Sequence, residues 1–86
     1  MKIYFTEKAW EDYLYWQEKD RKTMLRINAL LKDISRNGNE GIGKPEALMH
    51  DLSGFWSRRI DRTNRLVYRI REERIEVISC RYHYDK

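Results

Sequence analysis

The apolar residues of this chain change period once, and that single change limits what it can fold into. Early in the chain they recur three or four positions apart, at Ala9, Trp10, Tyr13 and Leu14, then at Met24, Ile27, Leu30, Leu31 and Ile34. That is the spacing of one helix face. From Leu52 onward the pattern is that of strands, with apolar side chains at alternate positions in Trp56, Leu66, Tyr68, Ile70, Ile78, Cys80 and Tyr82. Between the two regimes lies Asn37 to Pro45, with three glycines and the only proline. Helices first and a strand meander afterwards predict an α+β fold.

Local signals set the boundaries. Lys2 to Phe5 is a short run of β-formers and reads as a strand. Thr6 is a helix N-cap, and Glu7 stands in the first turn, where the helix dipole favours an acid. The first helix should end near Lys19-Asp20, and a second should run from about Lys22 to Arg36 until Asn37-Gly38 stops it. Strands are predicted over Gly54–Ile60, Arg65–Arg71 and Ile75–Tyr84, turning at Asp61-Arg62-Thr63-Asn64 and at Glu72-Glu73. The expected architecture is two N-terminal helices packed on one face of a mostly antiparallel sheet. A chain of 86 residues is too short to divide into parts that each bury a core, so residues 1–86 are read as a single domain.

Charge narrows the function. The net charge is +4, and the signs are segregated. Ser57 to Arg81 holds eight arginines, at 58, 59, 62, 65, 69, 71, 74 and 81, against the four acids Asp61, Glu72, Glu73 and Glu76. A basic C-terminal half points to a polyanion, of which nucleic acid is the commonest, although a solvated arginine surface has the same composition. The lone Cys80 has no disulfide partner and sits in an apolar run, so a buried structural role is expected. Met1 to Glu7 does not read as a signal peptide, and no stretch is long enough to span a bilayer. A cytoplasmic protein with no membrane association is expected.

Strand alternation sorts the arginines. One parity collects Trp56, Ile60, Leu66, Tyr68, Ile70, Ile78, Cys80 and Tyr82 and should lie beneath the helices, with Arg58 as an exception that must snorkel to an edge. The opposite parity collects Ser57, Arg59, Arg65, Arg69, Arg81 and His83 and should face water or a ligand. Clustered guanidinium groups repel one another unless something anionic lies among them, and their forks match phosphate oxygens. A histidine among such cations is suited to donate a proton during phosphodiester cleavage. Glu46, which follows Lys44-Pro45 at the end of the glycine-rich loop, is a carboxylate able to accept a proton from a 2′-hydroxyl. His50 is read as a surface residue or a helper in substrate contact. Two histidines and one cysteine are spaced against a zinc site, so no metal or other cofactor is expected. The acid pairs Glu11-Asp12 and Glu72-Glu73 read as solvated.

These residues carry a family resemblance. Trp10-Glu11-Asp12-Tyr13-Leu14-Tyr15-Trp16-Gln17 is similar to the first helix of the YoeB toxins, the Txe/YoeB branch of the RelE superfamily. So are Gly43-Lys44-Pro45-Glu46-Ala47-Leu48, Leu52 through Ile60, Arg65-Leu66-Val67-Tyr68 and the ending Cys80-Arg81-Tyr82-His83-Tyr84, in the same order over nearly the whole chain. The resemblance implies a RelE-like microbial RNase fold and a metal-independent endoribonuclease that enters the ribosomal A site and cuts messenger RNA. It implies Glu46 as general base, His83 as general acid and Arg65 as stabiliser of the phosphorane charge. Arg59 would bind phosphate, Tyr84 would position the substrate, and Lys44 and Arg81 would add contacts. It further implies a YefM-like antitoxin whose disordered tail folds across the toxin, and a homodimer, which the aromatic excess of Trp10, Tyr13, Tyr15 and Trp16 favours unless Tyr15 and Trp16 lie on the rim of the core. The chain departs from its relatives at Met49, often lysine there, and in continuing with Asp85-Lys86.

Two other functions fit the same scaffold. A gyrase-binding ParE-like toxin would need no acid–base pair, and a passive RNA-binding module would need only the arginines.

Overall fold

The computed structural model describes residues 1–82. The element order is β1 (Lys2–Phe5), α1 (Glu7–Lys19), α2 (Arg21–Asn37), β2 (Glu46–Ala47), β3 (Trp56–Arg59), β4 (Arg65–Arg71) and β5 (Arg74–Ser79), with a 3-10 turn at His50–Leu52. The five strands form one sheet in the order β1-β5-β4-β3-β2, parallel between β1 and β5 and antiparallel elsewhere. This is the α+β arrangement read from the sequence.

The helix ends follow from their caps. Thr6 Oγ1 accepts the Ala9 amide at 3.1 Å, which satisfies one of the free N–H groups of the first turn of α1. Asp20 closes α1 through its backbone amide and opens α2 through its carboxylate, which accepts the Thr23 amide. Gly38 ends α2 at φ +67°, a backbone conformation glycine adopts without penalty.

The helices cover one face of the sheet. Ala9 and Trp16 of α1 and Ile27, Leu30, Leu31 and Ile34 of α2 form one buried cluster with Ile60, Leu66, Tyr68, Ile75, Val77 and Cys80. Trp56 and Ile70 are partly buried against it, and Trp10 remains about half exposed. Burial of these side chains is the main source of the fold's stability.

Four expectations are corrected. The last strand ends at Ser79, because the Cys80 amide turns away to the Asp12 carboxylate at 3.0 Å. Ile78 does not face the helices: Tyr68 pairs with Val77 and Val67 with Ser79, so Ile78 is the extra residue of a β-bulge. It lines grooves on the opposite face with Val67, Phe55 and Arg69. Tyr82 is likewise exposed. Asp12 is not solvated but 5% exposed, spending its carboxylate on the Cys80 amide and on Lys8.

The fourth correction concerns Arg58, which does not snorkel. It is fully buried on the helix side. Nη1 donates to Asp33 Oδ2 at 2.6 Å and to the Ile42 carbonyl at 2.9 Å, Nη2 to the carbonyls of Gly38 at 2.6 Å and Glu40 at 3.1 Å, and Nε to the Tyr68 hydroxyl at 3.3 Å. A charge can remain inside because every donor of the fork has an acceptor.

Candidate functional site

The face of the sheet turned away from the helices carries the polar residues that the sequence places together, with Ser57 and Val67 on it buried and Glu46 and Arg59 exposed. Glu46 pairs with Ser57, Ser57 with Val67 and Val67 with Ser79, which makes one row across four strands. In the adjacent row Arg59 pairs with Arg65. Arg65 Nη1 donates to Ser57 Oγ at 3.1 Å and meets Glu46 Oε1 at 3.4 Å. The guanidinium is sheltered, with the side chain 17% exposed, while the Glu46 side chain is 65% exposed. The arginine is therefore held by the sheet and the carboxylate is open to solvent.

Glu46 is part of a strand, not of the loop that precedes it. Arg59 donates its amide to the Gly43 carbonyl at 2.7 Å, and Leu48 donates to the Phe55 carbonyl at 2.9 Å, so the chain is tied to β3 on both sides of β2. Two residues of regular pairing are too few to read from alternation, which explains why the sequence suggested only a loop end. Lys44 is exposed at φ +50° just before the strand.

A second anchor lies at the other end of Arg65. Its backbone amide donates to the Tyr82 carbonyl at 3.2 Å, and the Tyr82 amide donates to Asn64 Oδ1. Asn64 is 8% exposed, and its side-chain amide is held by Asp61. Burial raises the Asp61 pKa, but the N–H groups of Asn64 and Thr63 outweigh it and leave the carboxyl below its ordinary value. On the helix side, Trp16 Nε1 donates to the Cys80 carbonyl at 2.8 Å. Residues 80–82 are thus strapped to α1 and to the backbone of Arg65, one position before His83. His83 and Tyr84 lie outside the described residues.

The remaining predicted arginines divide. Arg59 is exposed, and its carbonyl accepts from Arg26 at 3.0 Å. Arg69 is neutralised by Glu76 at 2.6 Å and lies over the Phe55 ring at 4.8 Å, so it belongs to an ion-paired patch and not to the row of Arg65. Arg81 stacks on Tyr15 at 3.4 Å and on Tyr82 at 4.5 Å. It lines a groove of about 280 Å³ with Lys8, Leu52, Val67, Ile78, Ser79 and Tyr82. His50 is exposed in the 3-10 turn. Cys80 is fully buried, and burial, with Asp12 beside it, pushes its thiol up to about 12, far from a reactive cysteine. Among the described residues no three His, Cys, Asp or Glu side chains gather as a metal-binding group.

Sequence reasoning missed the tertiary hydrogen bonds of Asp12, Trp16, Asp33 and Asn64, which tie down the backbone at residues 80 and 82 and the buried Arg58. Only Asn64 had a usable signal, as the last residue of an Asp-initiated turn.

An arginine fork and an open carboxylate on the bare face of such a sheet can now be set beside known proteins. Residues 5–84 match the profile described as YoeB-like toxin of bacterial type II toxin-antitoxin system. The chain belongs to the YoeB toxin family. It is 52% identical over 84 residues to Toxin YoeB of Escherichia coli K12, covering 98% of this chain and all of that one. To Toxin YoeB of Synechocystis it is 54% identical over 86 residues, with both chains covered completely. Among solved structures, a YoeB/ParE toxin from Agrobacterium tumefaciens superposes with a TM-score of 0.95 at 44% identity, covering 98% of this chain and 100% of that one. The toxin in a YoeB-YefM complex from Staphylococcus aureus does so with 0.92 at 49% identity, covering 98% of each chain. Escherichia coli YafQ, at 15% identity and a TM-score of 0.78, shares the fold. This YoeB-family chain is therefore the toxin of a type II toxin–antitoxin system.

Proposed function

We propose that this toxin is a ribosome-dependent endoribonuclease that cuts messenger RNA in the A site and so stops translation. The observation that carries the reading is the contact of an exposed carboxylate, Glu46, with a sheltered guanidinium, Arg65, on the uncovered sheet face. With one partner exposed, such a pair is worth only about 0–1 kcal/mol. An entering phosphate can take over the guanidinium, which leaves the carboxylate free to act as a base.

The steps follow from that exchange. Glu46 accepts the proton of a ribose 2′-hydroxyl, and the 2′-oxygen attacks the adjacent phosphorus. Arg65, steadied by Ser57, neutralises the charge that builds on the phosphorane oxygens. His83 donates a proton to the departing 5′-oxygen. The products are a 2′,3′-cyclic phosphate and a 5′-hydroxyl. Positioned acid and base groups contribute about 10²–10⁴-fold, and in-line alignment of the 2′-oxygen supplies the rest. The ribosome holds the messenger in that alignment. Arg59, Lys44, Arg81 and Tyr84 bind or orient the strand. The proposal assigns all proton transfers and charge neutralisation to side chains and calls for no metal.

The partners follow from the relatives. The Staphylococcus aureus toxins were solved in YoeB-YefM complexes and as a YoeB dimer. A YefM-like antitoxin is accordingly assigned to this chain, with its tail across the arginine face, and so is a homodimer. A protein acting on ribosomes works in the cytoplasm.

The test is translation in vitro with purified toxin, mapping messenger ends by primer extension. The expected result is cuts confined to ribosome-bound messenger, unchanged by EDTA concentrations that leave the ribosomes intact, and lost in His83→Gln while ribosome binding persists. Cuts in free RNA would remove the ribosome from the mechanism. No cuts, with inhibition of gyrase, would replace the nuclease by a ParE-like activity.

A further inference from the structure

A hydrogen-bonded cluster around the loop that precedes Glu46 lies on the covered side of the sheet, centred on the buried Arg58. Between the end of α2 and β2 the chain has no regular backbone pairing. In place of a ladder, three carbonyls at alternate positions, those of Gly38, Glu40 and Ile42, point at one guanidinium, that of Arg58. Asp33 closes the ring. Its Oδ2 accepts both Arg58 Nη1 and the Ile42 amide at 3.1 Å, and its Oδ1 accepts the Asn37 side chain at 2.8 Å. The Tyr68 hydroxyl accepts from Arg58 Nε and donates to Asn39 Oδ1 at 3.0 Å.

The glycines of the segment fit this ring. A Cβ on Gly41 would stand 1.9 Å from Asp33 Oδ2, and one on Gly43 would stand 2.8 Å from Leu30 Cδ2 and 3.2 Å from Arg58 Cβ. Both have positive φ, at +134° and +82°. Three residues after Gly43 comes Glu46. Arg58 also lies in β3 between Ser57, which holds Arg65 and pairs with Glu46, and Arg59, which holds Gly43. Stability alone does not call for an ion pair here. Apolar side chains of equal volume in place of a buried pair are often neutral or stabilising. What an apolar side chain cannot supply is five donors in a fixed plane, and a lysine brings three donors from a single point.

We infer that Arg58 and Asp33 are positioning residues for the cleavage reaction, a buried clamp that organises residues 38–43 so that the Glu46 carboxylate is presented to Arg65 at the reacting position. The clamp acts through Glu46 and touches neither RNA nor ribosome. It rests on the reading of Glu46 as the general base, and the experiment separates the two.

The test is a double-mutant cycle on cleavage of ribosome-bound messenger under single-turnover conditions, with Arg58→Lys, Asp33→Asn and Glu46→Gln. Each is assayed below its own melting temperature, and its ribosome affinity is measured separately. Glu46→Gln should lose about 10²–10⁴-fold in rate. Arg58→Lys and Asp33→Asn should each lose on the order of 10²-fold, with ribosome affinity within about twofold of the parent, as expected when a catalytic group is displaced by an ångström. Combined with Glu46→Gln, either clamp change should cost almost nothing further, because the group it positions is already gone. If the two losses multiply, the clamp has no route through Glu46 and the inference falls, while the nuclease reading stands. If Glu46→Gln alone keeps full activity, the reading of Glu46 falls and the clamp inference with it.

Hydrogen exchange gives a readout independent of activity. In Asp33→Asn the Ile42 and Arg59 amides should lose protection while those of α1 keep theirs. Loss spread evenly over the chain would reduce the pair to a general support of the fold. If Arg58→Lys does not fold, Asp33→Asn carries the cycle, since it keeps the side chain's size and one acceptor.

Discussion

Arg58 is the residue whose sequence reading departs furthest from its structural role. Alternation places it correctly on the apolar parity, and ordinary burial preferences then send it to an edge. Four of its five acceptors come from a helix and a loop distant in sequence, so no local pattern announces them. The same geometry makes Gly41 intolerant of a side chain. Gly41→Ala would set a methyl against the Asp33 carboxylate at a positive φ, and should cost about 1–3 kcal/mol in chemical denaturation. Cys80 provides the other test at this scale. A thiol pushed up to about 12 is almost wholly protonated at pH 8, and it has no exposed surface. A disulfide reagent at pH 8 should leave Cys80 unmodified in the folded protein and label it within minutes in denaturant. Rapid labelling without denaturant would show that the 80–82 segment opens from α1.

Among elements, α1 is a hub as well as a cover. It supplies core residues, and through Asp12 and Trp16 it supplies the two hydrogen bonds that fix the backbone of residue 80. Its start depends on Thr6, so Thr6→Ala should destabilise the fold by about 1 kcal/mol in urea titration. The β4–β5 hairpin contributes the bulge at Ile78, which turns one more apolar side chain onto the bare face and tightens the local twist. Where the hairpin ends, Asn64 links the Tyr82 backbone to the strand that carries Arg65. Asn64→Ala should therefore slow messenger cleavage by at least tenfold in the single-turnover assay, on the order expected for a misplaced acid. Unchanged cleavage would show that residue 83 is placed without this tie.

At the scale of the whole molecule, acid stability follows from three carboxylates. The hydrogen bond from Arg58 holds Asp33 below its ordinary 3.8, those from Arg69 and Arg74 hold Glu76 below 4.5, and Asp61 is below 3.8 as well. A depressed folded-state value means that the unfolded chain binds the proton more readily. These groups therefore stabilise the fold in full above the ordinary carboxylate values, and the contribution drains as pH falls through and below them. Thermal melts should show a nearly constant Tm from pH 7 to about 5 and a steep fall below about pH 4. Asp33→Asn should flatten that fall.

The α+β class, the two helices, every strand but β2 and the two faces of the sheet are legible in the sequence, because periods of 3.6 and 2 record which side of each element meets the core. So is the grouping of Arg59 and Arg65 with Ser57, since β3 and β4 are regular and adjacent in the chain. Only the tertiary structure decided that Arg58 is buried with Asp33, that Asp12 is spent on the Cys80 amide, that Ile78 leaves the core parity and that Glu46 sits on a strand against Arg65. Each of these depends on a partner 10 to 68 residues away or on a one-residue slip in register. Periodicity reports the environment that a side chain faces. Which donor meets which acceptor across that environment is set by how the elements pack, and a local pattern holds no record of it.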